Sequence, residues 1–328
     1  LIVDVYEALV EVGKHEEPAK NQEAWLHKHF PKTLDLLEEA RDFRKSLPDT
    51  RGVDGSGGTW WLLWRPRPEL RDAWRLLEHV IAIGAVGKLL VPVRLPKTDE
   101  KYSLEVRPTH KLFIVASDSG AVMATLSSAT FELLARRVCS TMKSDLNFSP
   151  TQVFPHFPFP WAPVADKARE RLNPLAPPKA LETTLGKAAR AVLDHRQAVL
   201  DHPAKHGLGH VGDSFGPTKL YNLYDDPECI VPAIQQLREL HVALTRAVLD
   251  AYGWTDLKPR WEFGTPWIDG TTRYFPDAAA RAAILDRLQK LNHERHALEL
   301  ELCEKHDIPI PASTATDDED AEEDAGDE

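Results

Sequence analysis

The sequence predicts an α+β chain: a helical segment and loop over residues 1–57, a mixed α/β domain over 58–160, a helical domain over 161–312 and a disordered acidic tail over 313–328. Three observations predict this. Between 58 and 160, short apolar runs alternate with Gly, Pro and polar punctuation. After Trp161, apolar residues recur at three- and four-residue steps in an alanine-rich background. Finally, Asp317–Glu328 holds nine acidic residues and no basic one, a composition that cannot bury a core.

In order along the chain, residues 1–47 read as helical, with Trp25, Phe30, Leu34, Leu37 and Phe43 as apolar positions and Pro31 near a helix start, where proline is tolerated. Pro48–Gly58 is a loop by its Gly, Asp and Ser content. Trp60, Trp61 and Trp64 follow, each carrying roughly 150–250 Å² of surface that calls for burial, so they should anchor a core. Arg65 and Arg67 alternate with Pro66 and Pro68, which hold the backbone extended. Two guanidinium groups on a stiff arm suit phosphate or base-edge contacts; the plainer alternative is a salt-bridged surface turn. Pro68 opens a helix with Leu70, Trp74 and Leu77 on one face. Val80–Ile83, Leu89–Val93 and Lys111–Ala116 read as strands, the second an edge strand because Pro92 cannot donate to a ladder. Ala121–Cys139 reads as one helix, and the Phe-Pro alternation of Phe154–Pro160 as an extended strap that cannot be helical. Helices are expected over Ala188–Leu200, over the run Ile234, Leu237, Leu240, His241, Leu244 and Val248 ending before Gly253, and after Pro276.

Composition bounds the function. No apolar run approaches the roughly 18 residues that span a bilayer, and the first residues carry acids where a signal peptide is basic, so a cytoplasmic protein without membrane contact is expected. Cys139, Cys229 and Cys303 are odd in number and widely spaced, which indicates neither a disulfide framework nor a zinc site. The net charge of −11 argues against nucleic acid as a partner, but without Asp317–Glu328 it is −2, and residues 58–160 hold thirteen Lys and Arg against nine Asp and Glu.

Motifs for catalysis are weak. His202, His206 and His210 are spaced as metal ligands on a helix would be, but Pro203, Gly207 and Gly209 break that helix, so no metal is assigned. Asp99, Glu100 and Lys101 loosely imitate a Mg²⁺-nuclease cluster, in residue types that are common. Gly55, Gly57 and Gly58 lack the strand-to-helix context of a phosphate loop. His241, Met123, Phe148, Phe154, Phe157 and Phe159 read as core. Lys143, Asn147 and Gln152 differ, being polar residues among aromatics beside proline turns; Asn and Gln can bond adenine edges and Lys can bond guanine.

Taken together, WWLLWRPRPEL (60–70), VIAIGAVGK (80–88), HKLFIVASDSGAVMATLSS (110–128), MKSDLNFSPTQVFPHFPFP (142–160), KLYNLYDDPE (219–228), LRELHVALTRAVLDAYGW (237–254) and RYFPDAAARAAILDRLQKLNHER (273–295) resemble, in order, the C-terminal half of adenine-specific DNA methyltransferases. The resemblance is to the single-chain type II restriction-modification enzymes and their phage-defence relatives. It implies that 58–160 is a target recognition domain reading double-stranded DNA, and that the helices matching 219–300 support it. It places Lys88 at a polar or basic position of the recognition region and Arg94, Lys97, Lys101 and Arg107 in its variable part. The DNA-binding residues expected are therefore Arg65, Arg67, Lys88, Arg94, Lys97, Lys101, Arg107, Lys143, Asn147 and Gln152.

Members of that family bind S-adenosylmethionine through a Phe-x-Gly-x-Gly-like loop and hold the flipped adenine with an Asn-Pro-Pro-Tyr-like motif, whose ring stacks on the base. Neither occurs here: Asn173-Pro174 leads into Leu175, and Pro177-Pro178 into Lys179. The chain is expected to carry no catalytic residues and no cofactor of its own. S-adenosylmethionine would belong to a catalytic domain in the same polypeptide or on a separate subunit. The alternative is a protein-interaction scaffold within a bacterial defence complex, with other defence proteins as partners. On the recognition reading, replacing Arg65 and Arg67 by Ala should weaken binding to every duplex sequence and flatten its salt dependence; an anisotropy titration with unchanged salt dependence would remove these residues from the interface.

Overall fold

The computed structural model describes residues 9, 12–14, 17–35, 68–99, 104–106, 108–109, 111–142, 145–209, 215–267 and 269–310. The chain divides into two compact units, 1–76 and 77–328. In the first, helix α1 (Ala19–His29) buries Gln22 and Leu26 and stacks Trp25 on His29 one turn later, with ring centroids 4.5 Å apart. Pro31 opens a further helical turn that buries Leu34. Helix α2 (Pro68–Arg75) begins at its proline, as expected, and buries Trp74. Trp60, Trp61 and Trp64 lie outside the described residues.

The second unit is α+β. Its strands are β1 (His79–Gly84), β2 (Val86–Gly87), β3 (Val93–Pro96), β4 (Thr98–Asp99), β5 (Leu104–Glu105) and β6 (Leu112–Val115). β1 is the centre of an antiparallel sheet ordered β3-β1-β6, and Val80 to Ile83 are buried on both its faces, which is why this stretch reads as a continuous apolar run. The edge strand starts at Val93 rather than Leu89; Pro92 stands just before it, where its missing N–H costs no ladder bond.

Residues 121–139 fold as two helices rather than one: α3 (Gly120–Leu126) and α4 (Ala129–Val138). The reason lies in Ser128. Ser128 Oγ donates to the Thr125 carbonyl at 2.6 Å, competing with the helical ladder, and the freed Ala129 N–H donates to Thr245 Oγ1 at 3.2 Å from a helix more than a hundred residues away. Every residue from Ala121 to Leu126 is buried, so α3 is a core helix with no solvent face.

Strands β7 (Thr141–Met142) and β8 (Asp145–Asn147) pair with each other and, through β8, with β2, giving a second sheet ordered β2-β8-β7. The Phe-Pro segment is not wholly extended. Helix α5 (Pro150–Val153) runs into a 3₁₀ turn over Phe154–His156, because Pro155 falls in its first positions, where a fixed φ suits the turn. The strap proper is Phe157–Pro160, buried, with Phe157 edge-on to Phe131 at 5.0 Å and the Pro158 carbonyl accepting from Tyr252 Oη at 2.7 Å.

A hairpin of β9 (Val164–Asp166) and β10 (Arg171–Asn173) leads to α6 (Lys179–Asp201), which starts nine residues before the expected Ala188. Then come α7 (Pro217–Tyr224), α8 (Pro232–Ala251), a hairpin of β11 (Trp261–Gly264) and β12 (Arg273–Pro276), and α9 (Ala278–His306). Ile234, Leu237, Leu244 and Val248 of α8 are all buried, as their spacing predicts. Position 160 lies inside this unit, and one apolar core runs through it from Ile81 and Ile83 to Ile284 and Leu288. Among the described residues no helix is long and apolar enough to cross a membrane.

The two halves of the core meet where α3 crosses α6. A Cβ placed on Gly120 would lie 2.6 Å from the Gly186 Cα, whereas one placed on Gly186 would find nothing nearer than 3.5 Å. The close approach is sealed by Glu182, whose carboxylate accepts from Gly120 N at 2.8 Å, from Ala121 N at 3.3 Å and from Ser119 Oγ, capping the start of α3 across the crossing. The two glycines should therefore respond oppositely in urea unfolding. Gly120→Ala forces backbone apart and should cost about 1–3 kcal/mol or more. Gly186→Ala, mid-helix and with room, should be neutral or stabilising by up to about 1 kcal/mol.

Candidate nucleic-acid interface

Arg65, Arg67, Lys101, Arg107 and Lys143 lie outside the described residues. The other five expected contacts fall in two places. Lys88, Asn147 and Gln152 belong to the small sheet and its exit. Val86 pairs with Asn147 and Gly87 with Leu146, so Lys88, which follows β2, stands at the level of Asp145, where β8 begins. The Lys88 side chain is exposed while its carbonyl is clamped, accepting from Arg136 Nη2 at 2.7 Å and Arg273 Nη2 at 2.9 Å. Asn147 Nδ2 donates to Ser140 Oγ at 3.3 Å within the hairpin, which engages part of its amide locally. Gln152 is half-buried in α5, and its carbonyl accepts from His156 Nδ1 at 2.7 Å.

Arg94 lies elsewhere, on edge strand β3. It is opposite Ile81 in register and so projects from the sheet face that packs toward α6. Its Nε donates to His79 Nε2 at 2.9 Å. Burial, then the neighbouring Arg94 guanidinium, lowers the His79 pKa and keeps the ring in its accepting, neutral form. Lys97 leaves the same strand, its N–H donating to the Glu78 carbonyl at 3.1 Å.

His79 and Arg94 form one wall of an open groove of about 460 Å³; Lys187 and Arg190, with Thr183, form the facing wall on α6. Neither Lys187 nor Arg190 forms an ion pair or hydrogen bond among the described residues. Asp118 and Glu182 also border the groove, but both Glu182 oxygens are occupied by the start of α3. Three cations thus face two carboxylates, of which only Asp118 is not engaged by the start of α3. Such a groove suits a run of phosphates.

His79, Lys187 and Arg190 were not among the residues expected from sequence. A signal existed for the last two: Leu185, Ala189, Val192, Arg196 and Val199 are the buried stripe of α6, which leaves 183, 187 and 190 on the opposite side of the helix. No signal tied them to His79 and Arg94, about a hundred residues earlier.

Of the histidine series, His202 and His206 fall among the described residues. α6 ends at Asp201, His206 packs edge-on to His195 at 6.2 Å, and His210 lies outside the described residues. Among the described residues, no group of three or more His, Cys, Asp or Glu is placed to hold a metal ion. Glu100 and Lys101 are also outside them, so the Asp99 cluster has no described geometry. All three cysteines are free.

The clamp on Lys88 depends on a buried ion pair. Arg273 Nη1 donates to Asp225 Oδ2 at 3.1 Å, the Tyr274 N–H donates to the other oxygen at 3.0 Å, and Asp269 lies 3.7 Å from Nη2. Burial pushes the Asp225 carboxyl up to about 6, against the lowering effect of the Tyr274 N–H and Arg273. A carboxyl whose folded pKa exceeds its unfolded one contributes stability that is fully present below about 3.8 and is lost as pH rises through about 6. Relative to Asp225→Asn, the native protein should therefore lose on the order of 2–3 kcal/mol between pH 4 and 7. Urea unfolding of both proteins at several pH values measures it, and a pH-independent difference contradicts the assignment.

Compared with protein families, curated proteins and solved structures, the chain finds no match in any of the three.

Proposed function

We propose that this chain is the DNA sequence-recognition portion of an adenine-N6 DNA methyltransferase from a restriction-modification or phage-defence system. The observation that carries the reading is the groove in which Arg94, Lys187 and Arg190 converge on two carboxylates, of which only Asp118 is not engaged by the start of α3. Its support from sequence is the ordered resemblance described above together with the missing cofactor and base-pocket motifs.

In this reading the duplex backbone lies along the groove. Arg94, Lys187 and Arg190 contact phosphates and set the register; the phosphate contacts expected from sequence at Arg65, Arg67, Lys101 and Lys143 are a separate part of the same reading. Lys88, Asn147 and Gln152, with the variable segment that holds Lys97 and Arg107, reach base edges. The clamped Lys88 carbonyl means that a flexible side chain is presented from a rigid backbone, which suits readout of a guanine acceptor pair. Base flipping and methyl transfer occur in the partner catalytic domain, which also binds S-adenosylmethionine; no residue of this chain is assigned to either step.

The test is DNA affinity as a function of salt. Lys187→Ala plus Arg190→Ala removes two exposed, unpaired cations and should leave thermal stability unchanged. It should lower affinity by a similar factor on all duplex sequences and reduce the slope of log K against log salt by about 2. An unchanged slope rejects the groove as the interface. If the native chain binds no duplex at low salt, with or without residues 314–328, the scaffold alternative becomes the better reading; its support is the net charge of −11.

A further inference from the structure

A second, smaller cavity of about 60 Å³ lies between the 89–92 loop, α4, α6, α7, α8 and β12, and it shares no residue with the groove. Its wall holds Arg196, projecting from the C-terminal part of α6 and only 7 % exposed. Buried guanidinium groups are ordinarily matched by a carboxylate, because an uncompensated charge out of water costs several kcal/mol. The other buried arginines of this unit obey that rule or an equivalent one. Arg136 pairs with Glu132 at 2.8 Å and Arg273 with Asp225 at 3.1 Å. Arg238 spreads its charge over four main-chain carbonyls, those of Leu223, Tyr224, Asp226 and Cys229, at 2.8–3.1 Å.

Arg196 has neither. It donates to the Pro92 carbonyl at 3.2 Å and to the Tyr221 phenol, and among the described residues no carboxylate pairs with it. The phenol in turn bonds His241 Nε2 at 2.8 Å. Enclosure and the Arg196 charge push the His241 pKa down to about 3, so the imidazole is neutral at pH 7 and brings no second cation. The cavity is therefore lined by the Arg196 guanidinium with a hydroxyl beside it and by a second guanidinium, Arg273, that is already paired with Asp225, and its volume fits a few non-hydrogen atoms.

We propose that this cavity binds a small monovalent carboxylate, of the size of formate, acetate or bicarbonate, held on the Arg196 guanidinium with the Tyr221 hydroxyl alongside. A planar two-oxygen anion matches the guanidinium fork. Glu132 and Asp225 also line the cavity, each already engaged by its own arginine, and their charges disfavour a divalent anion such as phosphate. Water alone would solvate Arg196 without neutralising it. Because the ligand supplies the missing countercharge, it should stabilise the native state by mass action.

The experiment is thermal unfolding of the full chain in sodium formate or acetate, from 1 to 100 mM, with sodium fluoride keeping ionic strength constant. The native protein should gain several degrees in Tm over this range. Arg196→Gln should lose the response, and Tyr221→Phe, which keeps the ring and removes only the hydroxyl, should shift the half-saturating concentration about fivefold or more upward. If Arg196→Gln does not fold, Tyr221→Phe decides by itself. The proposal is overturned if the native protein shows no rise beyond the fluoride control, or if Tyr221→Phe responds at the same concentrations as the native protein. Neither result bears on DNA binding, since no cavity residue lines the groove.

Discussion

The contact between Gly120 and Gly186 is the constraint on which the second unit depends. The absence of a side chain at Gly120 allows the backbone of a buried helix to lie against the flank of a long one at this distance. Glu182 then converts proximity into a bond by capping α3 from α6. Everything that the sheet half contributes to the core, from Ile81 and Ile83 to Phe131 and Phe157, is positioned against the helical half through this crossing and through the Ala129–Thr245 hydrogen bond beside it. The crossing also sets the groove. Lys187 is the residue after Gly186 and Arg190 lies one turn further, so the contact that joins α3 to α6 brings both cations opposite His79 and Arg94.

A second theme is the use of buried arginine in place of a longer apolar core. Arg238 gathers four carbonyls from the turn after α7, and its guanidinium lies over the rings of Phe263 and Tyr274 at 4.9 and 5.7 Å, so a loop and a hairpin are held by one side chain. Arg136 and Arg273 do the same for the segment after β2, meeting on the Lys88 carbonyl. These groups act as rigid brackets because each finds its acceptors within the fold; removing one leaves desolvated carbonyls as well as lost packing. Arg196 stands apart from them in having no carboxylate partner among the described residues.

Much of this was legible in the sequence where the determinant is local. The periodicity of 234–248, the proline opening α2, and the apolar run of β1 each depend on neighbours a few residues away, and each is found as read. The reading of 121–139 as one helix failed because Ser127-Ser128 breaks a helix only when something accepts the released N–H, and that acceptor is Thr245. The 3₁₀ turn at 154–156 was missed because proline alternation was taken to exclude all helical geometry, whereas a first-turn proline permits it. Of the candidate site, Arg94 and Lys88 were visible as basic residues beside strands, but their partners were not.

The sequence by itself determined strand β1, the helices α2, α8 and α9, the acidic composition of the tail, the absence of recognisable catalytic motifs and the basic character of the middle third. Local spacing and composition carry these properties without any knowledge of what lies across the chain. Tertiary structure alone decided which cations share a groove, which arginine is left without a counter-charge, and how two-residue strands such as β2 find β8 sixty residues later. Those outcomes depend on backbone approach at one glycine pair and on hydrogen-bond partners supplied by remote helices. A periodic pattern can announce a helix face, but only packing determines what that face meets.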